Sequence, residues 1–258
     1  MRKVSVFSVA AVGLASVLGM SGGTLADGVP AQYAAPVVLT PTTWTGLYVG
    51  VQGGYAWSDI DWTLPVAQFF GAAGRGFSAD DEDVVLGGHA TYMYQMGPFV
   101  VGGDVAYNAT WLEDNVVGPI PPFANDSFQT RIDDYATVTG RLGFAMNNWL
   151  VYADGGYATG KVKLHVVSGP PGAGVIEDTD RRHDGWTYGG GFSYMIHPNV
   201  VLGLDYEHVE LDGERHEAIS TGVAGVPFSI DSGDVELDTV TARLSIKLDR
   251  DIAPAPLK

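Results

Sequence analysis

The sequence predicts an all-β protein: an eight-stranded antiparallel up-and-down transmembrane β-barrel with short periplasmic turns and four long external loops. Three observations carry that expectation. Eight stretches alternate apolar and polar residues in two-residue steps, most of them reach an aromatic near one or both ends, and the connections between them are alternately very short and long. Lipid supplies no water to bond the backbone, so a spanning sheet has to close on itself with apolar side chains outward and polar ones inward.

The first strand, residues 44–57, sets the pattern. Leu47, Val49, Val51, Tyr55 and Trp57 fall on one face, and Tyr48, Gly50, Gln52 and Gly54 on the other. The same parity gives seven more lipid faces: Val84/Leu86/Ala90/Tyr92, Phe99/Val101/Val105/Tyr107, Ala136/Val138/Leu142/Phe144, Trp149/Val151/Ala153/Tyr157, Trp186/Tyr188/Phe192/Tyr194, Val200/Leu202/Leu204/Tyr206 and Val240/Ala242/Leu244/Ile246. Trp44, Trp57, Tyr107, Trp149, Tyr157, Trp186 and Tyr206 lie toward strand ends, where amphipathic rings suit the headgroup level, and form the expected aromatic belt.

Turn chemistry orients the barrel. Met96-Gly97-Pro98, Asn147-Asn148 and His197-Pro198-Asn199 are very short connections, whereas residues 58–82, 113–133, 161–182 and 212–233 are long. Bacterial barrels put short turns in the periplasm and long loops outside, so both ends of the barrel are periplasmic.

The flanks are read separately. Arg2 and Lys3 precede an apolar stretch and a small-residue exit, which marks residues 1–26 as a cleaved signal peptide, with a cut after Ala31 as the alternative to Ala26. Residues 27–43, rich in Pro and Ala, are an expected periplasmic tether, residues 44–248 the barrel, and residues 249–258 a periplasmic tail. Beyond the signal no apolar run is long enough for a membrane helix.

Charge excludes a nucleic-acid partner. The net charge is −16, and removal of residues 1–26 leaves 12 basic against 30 acidic residues. The absence of cysteine excludes disulfides and thiolate metal sites, so stability has to come from backbone pairing.

A soluble barrel of the lipocalin type would share the alternation with its faces reversed. The second face here carries Gln52, His89, Thr91, Asp104, Arg141, Asp154, Asp205, Glu207, Arg243 and Lys247 among others, which belongs inside a membrane barrel. An eight-stranded lumen is only wide enough for side chains to fill it. Asp104, Arg141, Asp154, Asp205, Glu207, Arg243 and Lys247 are therefore an expected ionic plug, because buried charges are costly unless paired. The alternative is a cation path lined by the surplus acids.

The segment Trp44-Thr45-Gly46-Leu47-Tyr48-Val49-Gly50 with Gly53-Gly54-Tyr55 resembles the first strand of the small alphaproteobacterial outer-membrane β-barrel proteins, the immunogenic outer-membrane porin family. Val101-Gly102-Gly103-Asp104, Thr139-Gly140-Arg141-Leu142-Gly143-Phe144, Leu150-Val151-Tyr152-Ala153-Asp154-Gly155-Gly156-Tyr157, Gly185-Trp186-Thr187-Tyr188-Gly189-Gly190-Gly191 and Leu204-Asp205-Tyr206-Glu207 extend the resemblance in order along the chain. It implies a barrel of the OmpA membrane-domain shape, abundant at the cell surface, structural, antigenic or weakly porin-like, with outer-membrane lipid and lipopolysaccharide around it. Family members end in an aromatic residue read by the barrel assembly machinery. Here Leu248 is followed by residues 249–258 without a terminal Phe, so either that machinery does not recognise this end or it reads an internal strand.

No catalytic, cofactor or metal residue is assigned. The acids Asp59, Asp61, Asp80, Asp81, Glu82, Asp83, Glu113, Asp114, Glu177, Asp178 and Asp180 are expected in solvated loops and do not repeat a calcium-loop spacing, although divalent ions bridging to lipopolysaccharide would suit such carboxylates. His183 with Asp184 and Ser168 would be the residues of a forced hydrolase scheme, and loop histidines such as His165 or His183 those of a haem-capturing surface, an activity the resemblance raises. The favoured expectation is a non-enzymatic surface barrel that contributes to envelope integrity and meets host or surface ligands through its loops.

Overall fold

A computed structural model describes residues 43–65, 73–117, 127–168, 175–219 and 227–248. The expected signal peptide (1–26), the tether apart from Thr43, and the tail (249–258) lie outside the described residues. The strands are β1 (Gly46–Thr63), β2 (Gly76–Met96), β3 (Phe99–Val117), β4 (Ser127–Met146), β5 (Trp149–Ser168), β6 (Val175–His197), β7 (Val200–Leu211), β8 (Arg215–Ile219) and β9 (Pro227–Lys247). Every pairing is antiparallel between neighbours, and β1 pairs with β9, so β1 to β7 and β9 close an eight-stranded ring. The short β8 folds back on the outer part of β9.

The polarity is that of a membrane barrel. Val51, Leu142 and Val105 are more than half exposed on the outer surface, while Asp104, Arg141 and Asp205 are buried inside. Tight turns at Gly97 and Asn147, both with positive φ, join β2 to β3 and β4 to β5. Glycine also lets strands approach inside the ring: a Cβ on Gly156 would lie 2.1 Å from the Val138 carbonyl oxygen.

Strand length departs from the expectation. β1 has 18 residues and β6 has 23, although about 9–11 suffice to cross lipid. Much of the sequence expected as long loops is strand that continues outward beyond the membrane, including Asp59, Asp61, Asp80 to Asp83, Glu113 and Glu177 to Asp180. Within this extension the polarity reverses. Ile60, Trp62, Leu64, Leu112, Ile132, Val162, Leu164 and Leu237 point inward into an apolar core, and acids such as Asp59 and Asp80 point out to water. A strand leaving lipid for water has to exchange faces in this way, because the solvent now rewards charge outside and grease inside.

The outer ring is also interrupted. The β2–β3 ladder runs no further out than Val85–Thr110, and the β6–β7 ladder no further than Gly185–Leu211. Beyond those pairs, β3, β4, β5 and β6 remain paired as one sheet and β2, β1, β9 and β8 as another. Phe77 on one sheet meets Phe128 on the other at 4.9 Å between ring centroids, so the two leaves share the apolar core.

Candidate functional site

From the periplasmic end outward, the lumen is filled in layers. The lowest holds Trp44, Tyr48, Met93, Val100, Leu150, Met195 and Val201. This corrects the belt expectation for Trp44, which is fully buried. Its even-numbered position shares the inward parity of Tyr48 and Gln52. Inside, its Nε1 donates to the Asn147 carbonyl at 3.3 Å and its backbone N–H to Gln95 Oε1 at 2.8 Å. The other six belt aromatics face outward: Tyr107, Trp149, Tyr157, Trp186 and Tyr206 are exposed and Trp57 is half-exposed. Several are grouped, with Tyr157 paired across the ladder to Trp186 and Trp149 lying 4.7 Å from Tyr194.

Above the lowest layer, Asp104, Arg141, Asp154, Asp205 and Arg243 form one connected cluster. Arg243 Nη1 donates to Asp205 Oδ2 at 2.6 Å and Nη2 to Asp104 Oδ1 at 2.7 Å. Arg141 donates to Asp154 Oδ2 from Nε at 3.1 Å and from Nη2 at 2.7 Å. The same Nη2 lies 3.8 Å from Asp104 and 3.7 Å from Asp205. The Tyr152 ring lies under the Arg141 guanidinium, 3.9 Å from its Cζ, and the Tyr152 hydroxyl donates to Asp205. The Thr91 hydroxyl donates to Asp104.

Strand register explains these partners. Arg141 and Asp154 stand directly opposite on β4 and β5, and Asp205 is diagonal to Arg243 on β7 and β9. Asp104, on β3, meets Arg243 across the lumen, a contact that only ring closure supplies. Glu207 sits further out and accepts from Thr187 Oγ1 at 3.1 Å, while Lys247 sits near the periplasmic end, where its Nζ donates to the Thr43 carbonyl at 3.1 Å.

Polar side chains complete this zone: His89 shares a 2.8 Å contact with Ser245, and Gln52 donates to Asn108 Oδ1 at 2.7 Å. The cavity among Gln52, Asp104, Asp154, Glu207 and Arg243 has a volume of about 20 Å³. That is room for about one water. Outside it begins the apolar core of the two leaves.

The expected surface chemistry is placed differently. His183 is a fully buried, inward-facing strand residue, not a loop histidine open to a ligand. Asp184 is exposed, because neighbours on a strand face opposite sides, so the two cannot share a catalytic site. The side chain of Ser168 lies outside the described residues. His165 is half-buried on β5, near Glu113, Gln129, Arg131 and Lys163. On the opposite wall Asp59 stands across the ladders from both Asp80 and Glu236. Partial burial, then repulsion from Asp80, Asp61 and Glu236, raises the Asp59 carboxyl above its ordinary range. Among the described residues, no group of three or more His, Asp or Glu is placed to hold a metal.

Comparisons agree with this architecture. The 31 kDa outer-membrane immunogenic protein of Brucella melitensis is 29% identical over 225 residues, covering 79% of this chain and 87% of that one. The 22 kDa outer membrane protein of Rhizobium leguminosarum is 24% identical over 179 residues, covering 68% of each. Among solved structures, the outer membrane protein OprG of Pseudomonas aeruginosa shares the fold, with a TM-score of 0.51 and 13% identity over 78% of this chain and 96% of that one. Residues 14–247 match the family described as outer membrane protein beta-barrel domain, and the chain belongs to that family, as a barrel of the outer membrane.

Proposed function

We propose that this is a non-enzymatic structural and surface protein of the outer membrane, whose lumen is sealed by its ionic cluster and whose outer leaves present charged walls to the exterior. The observation that carries the reading is Arg243 clamped between Asp104 and Asp205, because a guanidinium fixed on both sides of a narrow lumen blocks it. The dry core above is a second barrier, since ions do not cross an apolar layer without water. The outward aromatics, apart from Trp44, serve as the membrane belt.

Presentation follows from the outer extension, which lifts Asp59, Asp80 and Glu236 on one wall and Arg131, Lys163 and Arg182 on another above lipid. These walls are the surfaces for lipopolysaccharide and for host or surface ligands. Relatives named as immunogenic support exposure of the corresponding face. Insertion by the barrel assembly machinery would use the apolar outer face of β9.

Planar-bilayer recording tests the seal. Reconstituted protein is expected to give no steady openings. Steady cation-selective openings that disappear in Asp154→Asn would establish the second reading, a narrow porin, which the excess of three aspartates over two arginines in the cluster favours.

A further inference from the structure

The seam between β6 and β8 has a specific fastening. Outward of Gly185 no strand pairing joins β6 to β8 among the described residues, and Asp212 N–H to the Asp184 carbonyl, 2.8 Å, is the last backbone link described there. Side chains take over. His183 on β6 and His216 on β8 are both fully buried, with their Nε2 atoms 3.1 Å apart.

The protons of this pair follow from its neighbours. His183 Nδ1 lies 2.9 Å from the Asp212 carbonyl, which can only accept, so Nδ1 carries the hydrogen and Nε2 is the acceptor. His216 Nε2–H then donates to His183 Nε2, and His216 Nδ1 accepts from the Thr179 hydroxyl at 3.4 Å. The chain Thr179, His216, His183, Asp212 is complete with both imidazoles neutral, and one added proton only turns the Thr179 hydroxyl from donor to acceptor. A first added proton places a charge beside the Trp62 ring, 5.0 Å from His216, in an apolar chamber. A second removes the acceptor and sets two cations face to face.

The charges around the pair do not remove that penalty. β6 brings Asp180, Arg181 and Asp184, the linker after β7 brings Glu214, and β9 brings Asp231, all exposed or half-exposed. β5 sets Gly160 opposite His183, and β1 contributes Trp62. Desolvation, the largest cause in both, holds His216 down at about 4 and His183 below the ordinary imidazole value.

We propose that His183 and His216 are an acid-released latch that keeps the two extracellular leaves closed along the β6/β8 seam, and that their protonation parts the seam and opens the apolar chamber sideways to water. An imidazole depressed in the closed state and ordinary in the open state favours closure fully above about pH 6.5. As pH falls below that value, the open population gains about tenfold per unit for each proton taken up. The other seam is fastened by an Asp81 carboxylate that accepts from the Glu113 N–H, so the β6/β8 side is the one governed by imidazole.

The test is hydrogen–deuterium exchange of the full barrel in lipid nanodiscs between pH 7 and 5, corrected for intrinsic exchange, reading the Asp212 amide, which bonds across the seam to the Asp184 carbonyl. Wild-type protection there is expected to fall at least tenfold, with the β1–β9 ladder in the membrane unchanged. His216→Phe, which keeps an apolar ring against Trp62, leaves His183 as the one titrating imidazole and should reduce the slope to that of one proton. Should that variant fail to fold by gel mobility, His183→Asn supplies a non-titrating acceptor, leaves His216 as the one titrating imidazole and should reduce the slope in the same way. A flat wild-type profile, or an unaltered slope in whichever variant folds, would overturn the latch.

Discussion

Arg243 on β9 and Asp104 on β3 meet at 2.7 Å although 139 residues separate them, and the contact crosses the lumen instead of following a ladder. Such a pair reports on closure of the whole ring, since neither partner has the other within reach until β1 joins β9.

Arg243→Met removes the cation that Asp104 and Asp205 share and leaves two buried carboxylates with one arginine nearby. The expected cost is about 3–5 kcal/mol, the penalty of an uncompensated buried charge. Urea titration of folding into liposomes measures it, and a change below about 1 kcal/mol would show the cluster to be peripheral to stability.

Leu142 is 68% exposed on the outer face of β4. Leu142→Arg should cost about 2–4 kcal/mol in the same titration, the depth-dependent price of a cation near the bilayer midplane. The neighbouring lumen change Thr139→Ser should cost less than about 1 kcal/mol, because it keeps the hydroxyl.

Two glycines separate close approach from open surface. A Cβ at Gly156 would sit 2.1 Å from the Val138 oxygen, whereas at Gly140 the nearest atom is 4.0 Å away. Gly156→Ala should destabilise by about 1–3 kcal/mol through overpacking. Gly140→Ala should fall within about 0.5 kcal/mol of wild type. Equal effects would contradict the inward and outward assignment of these positions.

Acid acts in opposite directions on the Asp59 wall and on the β6/β8 seam. The Asp59 carboxyl is raised, so its repulsion with Asp80 and Glu236 is relieved as pH falls through its folded-state value, while the imidazole pair loses stability as pH falls below about 6.5. Asp59→Asn should therefore stabilise the extension by a few tenths of a kcal/mol at neutral pH, roughly the scale of like charges set opposite on a sheet. That gain should shrink as pH falls through the raised Asp59 value, and differential exchange of the β1 outer amides along a falling pH series measures it.

The membrane part was legible because lipid enforces a strict rule: Val51, Leu142 and Leu204 had to face one way and Gln52, Arg141 and Asp205 the other. The outward extension resembles loop in the sequence because its carboxylates have the composition of solvated turns. Its signal was nonetheless present, since Ile60, Trp62 and Leu64 continue the inward parity of Gln52 with apolar side chains, and Val162, Leu164 and Val166 do the same on β5. At Trp44 ring type and parity point opposite ways, the indole suiting the headgroup level and the even position facing the lumen, and the lumen wins. Placing His183 against His216 needed β8, a five-residue strand too short to announce itself.

The most direct measurement exploits the absence of cysteine, which allows single spin labels without background. Labels introduced by Leu142→Cys and Asp61→Cys are compared in reconstituted membranes for relaxation by oxygen and by a water-soluble nickel chelate. At residue 142 oxygen should dominate and the chelate should be excluded, and at residue 61 the order should reverse. Chelate access at 142, or oxygen-dominated relaxation at 61, would contradict a barrel that spans lipid with one polarity and enters water with the other.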